Sequence, residues 1–253
     1  MDNGTVLTIP QVFELNAAVS RQLPRDISGA DAQYWIGHQE ELSQVLQNGL
    51  IRQQPETPEK VAPKIVFSGR PLADLGQMGF YSEMWKYLNW ELNTEGLYIP
   101  AYQDGFNWLI TSPLGLMSNK AYEFCEKHFP CWRYTDNLDQ AIVHNDRDAK
   151  NGAYVIRARD IIEADEKYRN WSANKLWKRQ VACITLTERL VLELAVFLIS
   201  GRHLDIDNWT LCAGSRLAAG GVPSAGWNDG QFEVSWFSPG NAFDNLRARQ
   251  VVS

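Results

Sequence analysis

The sequence predicts an α+β fold, in which helices and strands are mixed rather than repeated as strand–helix–strand units. Three observations indicate this class. Segments with helical and strand-like patterns follow one another in no regular order. One leucine-rich segment carries the capping residues of a helix at both ends. The last forty residues have the pattern of short strands that glycine and proline separate.

The first sixty residues predict a helical N-terminal segment, which precedes a domain spanning residues 61–253. Apolar residues recur at helical spacing over residues 9–23, and residues 30–50 form an amphipathic pattern with Trp35, Leu42 and Leu50 on one face. Residues 53–63 contain three prolines and predict a linker. Residues 64–67 predict a short strand that opens the domain.

The middle of the chain predicts short helices and strands in mixed order. A serine stands at the start of two helical patterns, which predicts N-caps at Ser118 and Ser172. The predicted strands cover residues 106–111 and 153–159, and the predicted helices cover residues 118–128, 135–142 and 172–179.

Residues 185–200 predict the clearest helix of the chain. Thr185 and Glu188 match a capping box, in which each side chain bonds the backbone amide of the other. The body is leucine-rich, and Gly201 is placed to end the helix in the left-handed conformation. A strand over residues 209–213 is predicted to follow.

Composition argues against several classes of function. With 45% hydrophobic and 21% charged residues among 253, the chain fits a soluble globular protein. A net charge of −6 without a basic run argues against a nucleic-acid binder. The longest apolar run, residues 190–200, contains Glu193 and is too short to span a membrane. Residues 1–10 do not match a signal peptide, so the expected location is the cytoplasm or a virus particle.

The tail of the chain has the composition of a recognition surface. Large anchors such as Trp227, Val234 and Trp236 stand among small, turn-prone residues, and no lysine follows Lys178. A rigid scaffold that presents small and aromatic residues between its anchors is typical of binding surfaces. Because Val251 and Val252 stand directly before the final Ser253, we expect the tail to be packed to its last residues.

Short stretches of the tail carry a family resemblance. They are residues 201–216 (GRHLDIDNWTLCAGSR), 226–227 (GW), 234–236 (VSW), 239–241 (PGN) and 245–249 (NLRAR), with residues 132–139 (WRYTDNLD) and 184–190 (ITLTERL) upstream. These stretches resemble the variable proteins of diversity-generating retroelements. The resemblance implies a C-type lectin fold of the formylglycine-generating-enzyme subtype and a non-catalytic, ligand-binding function. It also implies a gene-level partner, a reverse transcriptase that copies a template repeat, miscopies its adenines and replaces the 3′ end of the gene.

The genetic code limits which residues this mechanism can produce. An asparagine codon altered only at its adenines can encode Leu, Ala, Gly, Ser, Phe, Tyr, Asp or Asn, but never Trp, Glu, Gln, Lys or Met. We therefore interpret Trp227, Gln231, Glu233 and Trp236 as scaffold. Within a variable region of about residues 214–249, the predicted ligand-binding positions are Leu217, Ala218, Gly221, Ser224, Gly226, Asn228, Ser235, Phe237, Ser238, Asn241, Phe243 and Asn245.

Residues 234–237 predict a division between a core face and a ligand face. Because neighbours along a strand point to opposite faces, Val234 and Trp236 are expected in the core and Ser235 and Phe237 on the ligand face. Residues 238–241 (SPGN) have turn chemistry, which would place Phe243 at an exposed loop tip. Periodicity alone leaves open the alternative that Phe237 and Phe243 belong to the core.

Polar residues of the tail admit two interpretations each. Arg247 and Arg249 are expected to brace the fold through carboxylates or carbonyls, with binding of an acidic ligand as the alternative. His203, Asp205 and Asp207 have the spacing of metal ligands, but they supply few of the oxygens that calcium requires. A turn in which Asp205 or Asp207 caps local backbone is therefore the favoured interpretation.

Two other functions remain as alternatives to recognition. A formylglycine-generating type of cysteine oxidase uses cysteines near the C-terminus, where this chain has only Cys212, inside an apolar strand. A calcium-dependent sugar-binding lectin is the second alternative. The four cysteines form no CxxC pair and are expected to be reduced and mostly buried. We expect no catalytic residue, metal or cofactor, and a protein or glycan as the ligand.

Overall fold

The computed structural model describes residues 28–50 and 71–253. Over these residues the α-helices are α1 (Gly29–Gly37), α2 (Gln39–Leu50), α3 (Pro71–Tyr87), α4 (Ser118–Glu126), α5 (Leu138–Ala141), α6 (Ala173–Lys178) and α7 (Leu186–Ser200). The strands are β1 (Trp108–Ser112), β2 (Cys131–Arg133), β3 (Ile142–Asn145), β4 (Tyr154–Ala158), β5 (Trp209–Leu211), β6 (Ser215–Leu217), β7 (Val222–Asn228), β8 (Gln231–Phe237), β9 (Leu246–Arg247) and β10 (Val251–Val252). The predicted helix over residues 9–23, the linker 53–63 and the strand 64–67 lie outside the described residues.

The described strands form three sheets, and their arrangement confirms the α+β class. The largest sheet has the order β2-β8-β7-β5-β9, in which β7 and β8 form an antiparallel hairpin and the two edge strands run parallel to their neighbours. A second sheet has the order β1-β4-β10, and β3 pairs with β6 in the third. The chain therefore ends in a strand: Val251 is buried and pairs with Ala158 of β4, as the two final valines predicted.

Both faces of the five-stranded sheet are covered by apolar residues. Phe232 and Val234 of β8 belong to one core cluster, which also holds buried apolar residues of α4 and α7. Leu211 and Val222 belong to a second cluster, against which α6 packs. Along β8, Phe232 and Val234 thus face one cluster and Phe237 packs against the other, as the period of a strand requires. Within the described residues, no helix is both long enough and apolar enough to span a membrane.

Two of the three predicted N-caps are confirmed, and so is the predicted C-cap. Thr185 and Glu188 form the capping box of α7, and Gly201 ends that helix with a φ of 66°. The hydroxyl of Ser172 accepts a hydrogen bond from the amide of Lys175 at the start of α6. The prediction for Ser118 is wrong, because this serine is the first residue of α4 and its hydroxyl bonds that of Thr187 at 2.8 Å.

Two predicted helices differ in extent from the observed ones. The pattern over residues 30–50 is divided between α1 and α2, with His38 in a non-helical conformation between them. The pattern over residues 135–142 gives only α5, because the helix starts at the cap of Asn137 and its C-cap, Ile142, is extended.

Candidate functional site

Four of the twelve predicted ligand-binding positions are buried. Leu217, Gly221, Ser224 and Gly226 lie in or next to β6 and β7, and β7 occupies the centre of the five-stranded sheet. These four positions are therefore not exposed to a ligand in this structure, in contrast to the expectation for a binding surface. Codon chemistry identifies positions that a mutating copy can alter, but burial depends on which strand the fold places in the middle of the sheet.

The two buried glycines are closely surrounded. A methyl group at Gly226 would lie 3.0 Å from the carbonyl oxygen of Asn208 and 3.4 Å from that of Asp205. At Gly221 the nearest atoms would be Cε3 of Trp236 at 3.1 Å and Cδ1 of Leu217 at 3.2 Å. Gly226 therefore faces backbone, which cannot move aside, whereas Gly221 faces side chains.

Five of the remaining positions lie together in residues 237–245, which we name the 237–245 loop. Ser238, Phe243 and Asn245 are exposed, and Phe237 and Asn241 are half-buried. The rings of Phe237 and Phe243 are in contact, with centroids 5.7 Å apart. The structure thus brings an aromatic pair and three small polar side chains into one segment of the surface.

Main-chain hydrogen bonds hold the 237–245 loop in place. The carbonyl of Pro239 accepts from the amide of Asn174 in α6 at 2.9 Å, and the carbonyl of Asn245 accepts from the amide of Trp209 in β5 at 2.7 Å. Inside the loop, the amide of Ser238 donates to Oδ1 of Asn241 at 2.8 Å. Asn241 is therefore the loop residue whose side chain supports the turn, while the anchors at both ends do not depend on side chains.

The surroundings of the loop contain exposed charges of both signs. Asp244 lies 3.6 Å from the guanidinium of Arg169, and both side chains are at least half exposed. Lys175 of α6 lies 3.9 Å from the centre of the Trp171 ring. Exposed pairs of this kind contribute little to stability, so they are free to serve contacts with a ligand.

The predicted alternation along β8 is confirmed, but its assignment to core and ligand faces is only half right. Val234 is fully buried, whereas Trp236, expected beside it in the core, is 48% exposed. Trp236 lies near the end of the strand, opposite Pro223, and Gly221 beneath it has no side chain to cover the indole. Phe237, expected on the ligand face, is half-buried against the second core cluster. The core therefore extends further along β8 on the face of Phe237 than on the face of Val234.

The other three predicted positions lie outside the 237–245 loop. Asn228 is exposed at the tip of the β7–β8 hairpin, where its side chain donates to Glu233 at 3.2 Å. Ala218 is exposed after β6, and its amide bonds the carbonyl of Ala141. Ser235 is half-buried opposite Ser224. These residues do not share the contacts that unite Phe237 and Phe243.

The bracing role predicted for Arg247 and Arg249 is confirmed. Arg249 is buried and donates to the carbonyls of Ile161 and Ile162 and to the carboxylate of Asp205. Arg247 is half-buried and lies 2.6 Å from the carboxylate of Glu166.

The segment from His203 to Asp207 serves the fold in a different way from the predicted local cap. Asp205 is buried and accepts from the amide of Ala164, which is distant in sequence. The amides of Ile206 and Asp207 are capped by Glu163, a residue that the sequence analysis did not single out. Within residues 28–50 and 71–253, no three His, Cys, Asp or Glu side chains are grouped to hold a metal ion.

The cysteines are unpaired thiols, as expected. Cys125, Cys183 and Cys212 are buried and Cys131 is half-buried. Burial raises the pKa of the Cys212 thiol, which disfavours the thiolate that a nucleophile requires. Cys212 packs in the first core cluster at the end of β5.

The comparisons with known proteins return no relative. No protein-family model matches the chain, and no curated protein or solved structure matches it either.

Proposed function

We propose that this chain is a ligand-recognition protein, that the 237–245 loop is its binding surface, and that a retroelement diversifies this surface through adenine-directed mutagenesis. The proposed fold of residues 61–253 is a C-type lectin fold of the formylglycine-generating-enzyme subtype. The resemblance of residues 201–249 supports both parts of the proposal, and the observed α+β arrangement agrees with the fold. The gene-level partner in this proposal is a reverse transcriptase.

One observation carries the proposal: the loop separates its structural support from its exposed side chains. Asn174 and Trp209 hold the loop through the carbonyls of Pro239 and Asn245, so these bonds survive a change of side chain. Phe243 is 45% exposed, and Ser238 and Asn245 are exposed beside it. A surface of this kind can change its side chains while its backbone stays in place, as diversification requires.

The chemistry of the loop suits a protein or glycan ligand. The Phe237–Phe243 pair supplies a rigid apolar contact, and the hydroxyl and amide groups of Ser238 and Asn245 supply adaptable hydrogen bonds. A few aromatic anchors usually provide most of the binding free energy of such a surface.

A comparison of two libraries tests the structural part of the proposal. One library replaces Ser238, Phe243 and Asn245 with every residue that an adenine-altered asparagine codon encodes. The other applies the same codons to Leu217, Ser224 and Gly226. Displayed on a cell surface and treated with protease, most members of the first library are expected to stay intact and most members of the second to be degraded. Equal survival of the two libraries would contradict the division between scaffold and variable surface.

The genetic part of the proposal has its own test. Sequencing the 3′ end of this gene in a population, together with its neighbourhood, should find a near-identical repeat beside a reverse transcriptase gene. We expect substitutions only where that repeat has adenine, concentrated in the codons of the 237–245 loop. Substitutions spread evenly over all bases, or the lack of such a repeat, would overturn the proposed diversification.

A further inference from the structure

An apolar cavity of about 190 Å³ lies between the C-terminal half of α7, the start of β1 and residues 159–162. Trp108, Ile162, Val196 and Ile199 form much of its wall. A dry apolar cavity of about 150 Å³ accommodates a benzene ring. This cavity therefore has room for one ring or for a short branched chain.

Arg249 fixes the backbone on the isoleucine side of the cavity. Its guanidinium donates to the carbonyls of Ile161 and Ile162, and the amide of Asp205 donates to the same carbonyl of Ile162 at 3.1 Å. Because buried groups hold both carbonyls, the backbone of these two residues is fixed, and Ile161 is 43% and Ile162 is 46% exposed. Two neighbouring apolar side chains therefore stand partly exposed at the cavity on a fixed backbone.

The cavity lining contains two guanidinium groups and one carboxylate. Arg159 lies there with its guanidinium 2.9 Å from Asp165 and stacked over the ring of Phe106. Arg202 also lines the cavity, is exposed, and has no carboxylate within 4.0 Å among the described residues. Asp160 is the carboxylate that lines the cavity beside these two guanidinium groups. Arg202 is therefore the cation available to a ligand.

We propose that this cavity binds a small apolar carboxylate. The branched chain or ring of the ligand contacts Ile162, Val196 and Ile199, and its carboxylate pairs with Arg202. The elements that form this cavity do not include the 237–245 loop. The proposed site can therefore be tested independently of the proposed recognition function.

Titration of the full chain with two matched compounds tests the proposal by amide NMR. The compounds are 4-methylpentanoate and its uncharged analogue 4-methylpentanamide. With both compounds we expect saturable changes in the amide chemical shifts of Ile161, Ile162 and Val196. The affinity for the carboxylate should be about threefold to fivefold higher than that for the amide, because an exposed ion pair contributes a free energy of this size. Absence of saturable shifts at these residues, or equal affinity for the two compounds, would overturn the proposal.

Three variants locate the two parts of the ligand. Arg202→Gln is expected to lower the affinity for the carboxylate to the value measured for the amide. The affinity for the amide itself is expected to stay the same. Val196→Phe fills the cavity and is expected to abolish binding of both compounds, and its spectrum shows whether the domain remains folded. Arg179→Gln is the matched control, because Arg179 is exposed and lies outside the cavity lining. The proposal fails if Arg202→Gln and Arg179→Gln bind the carboxylate equally well, or if Val196→Phe is folded and still binds.

Discussion

Arg249 donates from Nη2 to Oδ1 of Asp205 at 2.7 Å, and both side chains are buried. The other carboxylate oxygen of Asp205 accepts from Nε of Arg189 at 3.0 Å and from the hydroxyl of Thr210 at 2.5 Å. Arg249 also holds the carbonyls of Ile161 and Ile162. One guanidinium therefore connects the turn after α7, strand β5 and the wall of the apolar cavity.

Replacement of Arg249 is expected to destabilise the domain strongly. Arg249→Met removes one partner of a buried ion pair and the donors of two carbonyls, so we expect the free energy of unfolding to fall by about 3–5 kcal/mol. Urea denaturation at pH 7 measures the loss. Arg247→Met is the matched control, because Arg247 pairs with the exposed carboxylate of Glu166, and its expected loss is about 1 kcal/mol or less. Equal losses in the two variants would show that the buried ion pair contributes no more to stability than the exposed one.

Because Asp205 is a buried carboxylate with charged partners, we expect the stability of the domain to depend on pH in the acid range. Burial by itself raises the pKa of this carboxyl, but Arg249, Arg189 and the Thr210 hydroxyl outweigh burial and hold the pKa below its ordinary value. The unfolded chain therefore binds a proton more readily than the folded chain. The stabilisation is fully present above the unfolded pKa of about 3.9 and is lost as the pH falls through the lower folded pKa.

Urea denaturation from pH 7 down to pH 3 measures this effect. We expect the free energy of unfolding of the natural chain to fall steeply below about pH 4. Asp205→Asn cannot titrate at this position, so it should be less stable at pH 7 and show a shallower fall. If both proteins lose stability with the same slope, the acid sensitivity belongs to other carboxylates.

Trp236 is expected to contribute less to stability than a core residue of the same strand. About half of this side chain is exposed, so Trp236→Ala should lower the free energy of unfolding by about 1–2 kcal/mol. Phe232→Ala, at a fully buried position of β8, should lower it by about 3–5 kcal/mol. Thermal and urea denaturation of both variants provide the comparison. A loss at Trp236 as large as that at Phe232 would place the indole in the core.

Local patterns predicted those features of the fold whose causes are local. The capping box of Thr185 and Glu188 lies within one helical turn, and the cap of Ser172 contacts a residue three positions away. Asp205 depends instead on Arg189 and Arg249, which are 16 and 44 residues away. No local pattern contains those partners, so the sequence predicted a local turn where the fold has a buried ionic network.

The burial of the candidate positions could not be predicted from the sequence. Strand alternation separates Val234 from Ser235, yet it does not say where the core ends along the strand, and Trp236 lies beyond that end. In the same way, Ser224 and Gly226 match the codon rule but belong to the central strand of the largest sheet. The order of strands in a sheet is set by contacts distant in sequence, which is why the codon rule does not reveal that these two residues are buried.

Gly226 provides the sharpest test of this difference between codon rule and packing. Gly226→Ala would bring the new methyl group within 3.0 Å of the Asn208 carbonyl oxygen and 3.4 Å of the Asp205 carbonyl oxygen. The Asp205 carbonyl already accepts from the amide of Trp227 at 3.0 Å, so the backbone there has little freedom to move. We expect the free energy of unfolding to fall by about 1–3 kcal/mol, as for other overpacked sites.

The control for this prediction is Gly152→Ala, which adds the same methyl group at an exposed glycine with no atom within 4 Å. Its effect should stay within about 0.5 kcal/mol. Urea denaturation of the two variants side by side separates crowding at Gly226 from the general effect of replacing glycine. If both variants match the natural chain, β7 has room for a side chain and Gly226 regains its place among the positions that a ligand surface can vary. If only Gly226→Ala is destabilised, the variable surface excludes β7 at this position and the 237–245 loop remains its centre.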